Sequence, residues 1–194
     1  MTDVRARFVA DVLGNRHNRA IFSGWRDLAL PDGWLVAGCL FQSVWNLRSQ
    51  RPPEARIKDY DLFYFDASDL SPSAEEAVQA RVGDVLGDLG VMVEAKNQAR
   101  VHEWYPAYFG RPYPKLANSR DGIDRFLVLA TCVAMRPNAA ADDGWDVYAP
   151  YGLDLLYEGT LTPNPLTDFP ELFEAKAGSY RERWPWLTVG SSIA

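Results

Sequence analysis

The chain has 194 residues, 47% of them hydrophobic and 24% charged, proportions of a globular protein rather than a disordered or fibrous one. Its formal net charge is −6 and it has no run of Lys and Arg, which argues against a protein that grips extended DNA or RNA through a basic face. No apolar run reaches the roughly 20 residues that span a bilayer.

The length fits one domain over residues 1–194, with a helical segment over 1–30, a core over about 31–160 and a C-terminal helix over about 170–184. No N-terminal stretch reads as a secretory signal. The two cysteines, Cys39 and Cys132, sit in apolar segments without metal-ligand spacing, as expected of buried thiols in a reducing cytoplasm.

In chain order, residues 3–13 carry apolar side chains at helical spacing, and Gly14 is a stop signal. A second helix is expected over Arg16 to Leu28, then a turn at Pro31-Asp32-Gly33. Trp34 to Ala37 reads as a short apolar strand that Gly38 breaks, and Cys39 to Arg48 as a helix. After a polar loop, Ile57 to Phe65 reads as a strand. Ser71-Pro72 opens a helix, with Ser71 as its cap, that ends near Leu89-Gly90. Val91 to Ala95 is a strand and His102 to Phe109 a helical turn. Ser119 is expected to cap a segment containing Gly122 to Phe126, and Leu127 to Met135 is an apolar stretch. Trp145 to Ala149 is a returning strand, and Asp154 is expected to cap a short turn. The order predicts an α+β fold, a mixed sheet flanked by helices.

Chemistry concentrates in Ile57-Lys58-Asp59-Tyr60-Asp61. Strand side chains alternate, so Asp59 and Asp61 share a face and Lys58 is expected on the other. Carboxylates so placed can converge on a cation such as Mg²⁺, which takes one or two carboxylates together with substrate phosphates; alone they equally fit a solvated strand end. Gly38-Cys39 starts a helix, where free N–H groups and the helix dipole favour phosphate. Glu94 lies between apolar residues. If its strand neighbours Asp59–Asp61, at about 4.8 Å, three carboxylates crowd one face and a cation is the economical explanation; otherwise Glu94 is a solvated edge residue. Lys96 shares Glu94's face if the strand continues, within reach of a phosphate, and is a solvated lysine if not.

The stretches GCLFQSVWN, IKDYDLFYFD, VEAKNQARVHEWY, FGRPYP, GIDRF and VYAPYGLDLL resemble a bacterial nucleotidyltransferase-like family within the DNA polymerase β-type superfamily, over roughly residues 20–185. The resemblance implies a mixed sheet, Mg²⁺ or Mn²⁺ held by Asp59, Asp61 and Glu94, and a nucleoside triphosphate whose phosphates face Gly38-Cys39. The superfamily usually has Gly-Ser or Gly-Gly there, and a thiol is a poor substitute for a hydroxyl donor. The implied activity is nucleotidyl transfer from an NTP to an acceptor, expected to be small, with release of pyrophosphate. A catalytically weak nucleotide- or metal-binding module on the same fold is the alternative. A haloacid dehalogenase-type phosphatase fits less well, because Leu62 to Phe65 extend the strand beyond Asp61 where that fold turns into a loop.

Overall fold

The computed structural model describes residues 3–167 and 169–190; residues 1–2, 168 and 191–194 of the expected domain range lie outside it. Three helices come first: α1 (Val4–Gly14), α2 (Arg16–Ser23) and α3 (Trp25–Leu28). Asn15 caps α2 by accepting the His17 and Asn18 N–H groups. The single helix expected over Arg16 to Leu28 is broken at Gly24, where a Cβ would meet Val85 at 3.1 Å and Leu86 at 3.2 Å. His17 is half-buried, its ring set edge-on to Tyr60 with centroids 5.6 Å apart.

Next come β1 (Trp34–Val36), α4 (Gly38–Arg48), β2 (Asp59–Tyr64), α5 (Pro72–Leu86), β3 (Met92–Asn97) and α6 (Val101–Phe109). They are followed by α7 (Ser119–Ile123), β4 (Ala134–Pro137), β5 (Trp145–Tyr148), α8 (Asp154–Glu158), β6 (Thr160–Leu161), α9 (Pro170–Arg183) and β7 (Thr188–Val189). Ser71 caps α5 through the Ala74 N–H. Ser119 does not cap α7; Asn118 does, and the Ser119 hydroxyl instead donates to the Asp32 carbonyl at 2.7 Å. Asp154 makes no capping bond and is the first residue of α8.

Five strands form a mixed sheet in the order β3-β2-β1-β4-β5. Only β2 and β3 run parallel, as the helical crossover α5 between them requires. A second, two-stranded sheet pairs β6 with β7. The fold is thus α+β with helices flanking a mixed sheet. No helix among the described residues is long and apolar enough to cross a membrane.

Strand alternation sorts the central strands. Tyr60, Leu62 and Tyr64 of β2, with Val93 and Ala95 of β3, enter the main core against α1, α4 and α5. Asp59, Asp61 and Phe63 take the opposite face, beside a smaller apolar group of Trp34, Val36, Ile123, Cys132 and Ala134. Helix α9 closes this region by docking on α4 through aromatic side chains. Trp184 lies 5.2 Å from Trp45 and donates its indole N–H to Asn46 at 3.1 Å. Tyr180 packs edge-on to Phe41 at 5.4 Å. Trp184 is fully buried, so Trp184→Ala should cost about 3–5 kcal/mol, measured by denaturant unfolding.

Candidate active site

The β2–β3 ladder sets Asp61 directly opposite Glu94 and Asp59 opposite Met92. Antiparallel pairing on the other side sets Val36 against Asp61, so the chain leaving β1 turns into α4 beside the acids. That turn is strained: Ala37 holds φ 52°, ψ −117°, a region that costs an L-residue about 1–3 kcal/mol. Its effect is to aim the start of α4 at Asp59. A Cβ on Gly38 would come within 3.0 Å of the Gln42 amide nitrogen and 4.0 Å of Asp59 Oδ1. The Ala37 carbonyl accepts from Leu40 and Phe41, while the Gly38 and Cys39 N–H groups have no acceptor among the described residues. Free donors of this kind are typical of a helix start.

A cavity of about 480 Å³ opens here, lined by Gly38, Gln42, Lys58, Asp59, Asp61 and Arg125 on one side and by Leu172, Lys176, Ser179, Tyr180 and Arg183 of α9 on the other. The size suits a nucleotide-sized ligand. Tyr105 and Phe109 of α6 line it too, with Tyr105 stacked 4.4 Å from Tyr113. Gln42 is nine-tenths buried, and its side-chain oxygen has no hydrogen-bond partner, a cost of about 1–3 kcal/mol unless a ligand supplies one.

The acids are electrostatically frustrated. Neither Asp59 nor Asp61 accepts a side-chain hydrogen bond among the described residues. Burial pushes the Asp61 carboxyl from 3.8 up to about 6; Asp59 and Glu94 push the same way, and Lys96 and Lys176 oppose them. A mostly buried carboxylate without donors, beside a second one, is a donor set that fits a divalent cation. Glu94 stands apart from the pair: its carboxylate lies 3.8 Å from Lys96 Nζ, and no three His, Cys, Asp or Glu residues among those described converge to hold one ion.

The other expected site residues separate. Cys39 is fully buried, its sulfur 3.5 Å from the Val36 carbonyl, and burial pushes its thiol well above the usual range; what the Gly38-Cys39 turn offers a ligand is backbone N–H. Lys96 shares Glu94's face and does not line the cavity. Lys58, expected on the far face, lines the cavity with Asp59. It precedes β2, where strand alternation has not begun. Lys176 and Arg183 belong to no sequence motif, although positions 172, 176, 179, 180 and 183 mark one face of a helix.

A parallel β2–β3 pair carrying acids, with a glycine turn into a helix beside them, sits in an α+β domain of mixed sheet and flanking helices. The chain belongs to the nucleotidyltransferase family, whose pattern matches residues 23–189. It is similar to a solved NMR structure described as revealing a CCA-adding enzyme head domain, with a TM-score of 0.74, 26% identity, and 92% of this chain and 91% of that one covered. No curated protein matches the chain.

Because Asp61's folded pKa of about 6 lies above its unfolded 3.8, the folded chain holds this proton more tightly than the unfolded one. Its stability therefore falls as pH rises from about 4 to about 6 and stays reduced above that. Asp61→Asn should raise the stability of the metal-free protein at pH 7.5 by up to about 3 kcal/mol, and by little at pH 4. Denaturant titrations at the two pH values check this.

Proposed function

We propose that the protein is a metal-dependent nucleotidyltransferase that moves a nucleotidyl group from an NTP to an acceptor hydroxyl and releases pyrophosphate. The observation that carries this reading is the partly buried Asp59–Asp61 pair, without hydrogen-bond donors, lining one cavity together with Gly38, whose N–H is unspent. Asp59 and Asp61 would hold the divalent ion, Mg²⁺ or Mn²⁺. Bound there, it supplies charge neutralisation at the phosphates and eases deprotonation of the acceptor. Glu94 supplies a third carboxylate across the ladder, and its contact with Lys96 must open before it can share an ion.

The remaining residues position the substrate. The Gly38 N–H and the Gln42 side-chain NH2 line the cavity and fit phosphate oxygens. Lys58, Lys176 and Arg183 offset their charge, and Tyr105 with Phe109 offers a base an aromatic face. In the transfer, the acceptor oxygen bonds to the α-phosphorus. The bond to the bridging oxygen breaks, its electron pair leaves on pyrophosphate, and the acceptor proton passes to water.

The net charge of −6 favours a small acceptor. The similar structure's description as a CCA-adding enzyme head domain makes an RNA 3′ end the second acceptor class. A weak nucleotide-binding module is the competing reading, favoured by Glu94's separation from the aspartate pair.

The test is pyrophosphate release from each NTP with Mg²⁺ and candidate acceptors. Asp59→Asn and Asp61→Asn should each lower the rate at least about 100-fold, equivalent to about 2.7 kcal/mol, with the fold retained. Calorimetric binding of Mg²⁺–NTP without any pyrophosphate release identifies the module instead.

A further inference from the structure

Where the N-terminal helices pack on α4, the apolar core encloses a connected group of polar side chains. Asn15, Asn18 and Ser43 are each fully buried, where an amide or hydroxyl is tolerated only with partners. Asn15 lies between α1 and α2. Its Oδ1 accepts the His17 and Asn18 N–H groups at 2.9 and 3.4 Å. Its Nδ2 donates to the Ser43 hydroxyl at 3.0 Å and to the Tyr60 hydroxyl at 3.3 Å. The Ser43 hydroxyl in turn donates to the Cys39 carbonyl at 2.6 Å. Asn18 reaches the same carbonyl from α2: its Nδ2 donates to Cys39 and to Val12, both at 3.1 Å.

Both ends of this group lie directly behind the aspartates. Cys39 follows Gly38, where a Cβ would stand 4.0 Å from Asp59 Oδ1. Tyr60 separates Asp59 from Asp61 on β2 and enters the opposite face, where it is fully buried. Two amides outside the cavity thus hold the first turn of α4 and the strand that carries the acids. Packing alone does not require them. Phe8, Val12, Ile21 and Leu40 fill the same core with apolar surface, and apolar burial is non-directional. Hydrogen bonds fix distance and angle, most strongly in a buried network. The group also carries a cost: Asn18 Oδ1 is buried without a partner, worth about 1–3 kcal/mol. An apolar side chain at position 18 would remove that cost. What asparagine adds is the pair of N–H donors that hold the Cys39 and Val12 carbonyls.

We propose that Asn15 and Asn18 are positioning residues for the active site, which set the Gly38 turn against the aspartate strand through the Cys39 carbonyl and the Tyr60 hydroxyl. Both precede residues 23–189, which the family pattern covers, so the N-terminal helices belong to the working site. The ligands this arrangement serves are those of the nucleotidyl-transfer reading, on which its chemistry rests. Groups that act on a ligand must be held to within about 0.5 Å, and a displacement of about 1 Å costs on the order of 100-fold in rate.

The experiment measures Mn²⁺ affinity by calorimetry and kcat for pyrophosphate release, on full chains whose folding is checked by denaturant unfolding. Asn15→Ser keeps a capping oxygen for α2 and loses the amide that joins Ser43 to Tyr60. Asn18→Ala removes both donors together with the orphaned oxygen. Each should weaken Mn²⁺ binding and lower kcat about 10-fold, as the loss of hydrogen bonds behind metal ligands does. The control is Tyr157→Phe, which deletes the 2.7 Å bond from α8 to Asp11 of α1. It should lower stability and leave both readings within about 2-fold. If an asparagine variant unfolds, Ser43→Ala decides in its place, since it severs Asn15 from the Cys39 carbonyl. Wild-type Mn²⁺ affinity and kcat in the folded variants, or equal losses in Tyr157→Phe, overturn the positioning role. Weakened Mn²⁺ binding in the variants, with no pyrophosphate released from any NTP by the wild-type chain, sinks the transfer reading and leaves the role standing. Pyrophosphate release that is lost in Asp59→Asn and unchanged in Asn15→Ser and Asn18→Ala does the reverse. A wild-type chain with no affinity for Mn²⁺ overturns both.

Discussion

Two like charges two residues apart on one strand face, with a third acid directly across the ladder, are an arrangement that folding alone disfavours. Burial pushes the Asp61 carboxyl up to about 6, and the neighbouring Asp59 and Glu94 add to that push. The chain nonetheless builds its central strands so that Tyr60, Leu62 and Tyr64 secure β2 from behind while Asp59 and Asp61 stay on the open face. The apolar half of β2 supplies the burial that keeps the acidic half in place. Much of what surrounds the pair makes sense as accommodation of a charged ligand: the forced φ of Ala37 and the unspent N–H of Gly38.

The scaffold separates rigidity from chemistry. Rigidity comes from aromatic docking of α9 onto α4, where Phe41, Trp45, Tyr180 and Trp184 interlock edge to face and the Trp45 indole donates to the Leu156 carbonyl at 3.0 Å. Because α9 is anchored by Tyr180 and Trp184, its cavity face is free to present Lys176, Ser179 and Arg183. A site assembled from β1, β2, α4 and α9 therefore draws on residues more than 140 positions apart in the chain.

The acidic strand was legible in the sequence because period-2 alternation and a two-residue spacing are local facts. So were the glycine turn into α4, the Ser71 cap and the order of strands and helices. Features that depend on partners distant in sequence were not. Lys58 lines the cavity because it precedes β2, so strand alternation does not place it on the far face. Gly24 breaks the second helix because α5 packs against it, and the two-residue strands β6 and β7 carry no periodicity to read. Glu94's register opposite Asp61 was anticipated as a condition, but its pairing with Lys96 came only with side-chain placement.

The central claim is that Asp59 and Asp61 hold the metal that binds the nucleotide. A crystal structure of the protein with Mn²⁺ and a non-hydrolysable NTP analogue tests it most directly, since the anomalous signal of manganese locates the ion independently of the nucleotide. The account predicts manganese in contact with both carboxylates, with the analogue's phosphates against the Gly38 end of α4. Manganese elsewhere, or an analogue bound away from the aspartate pair, would contradict it.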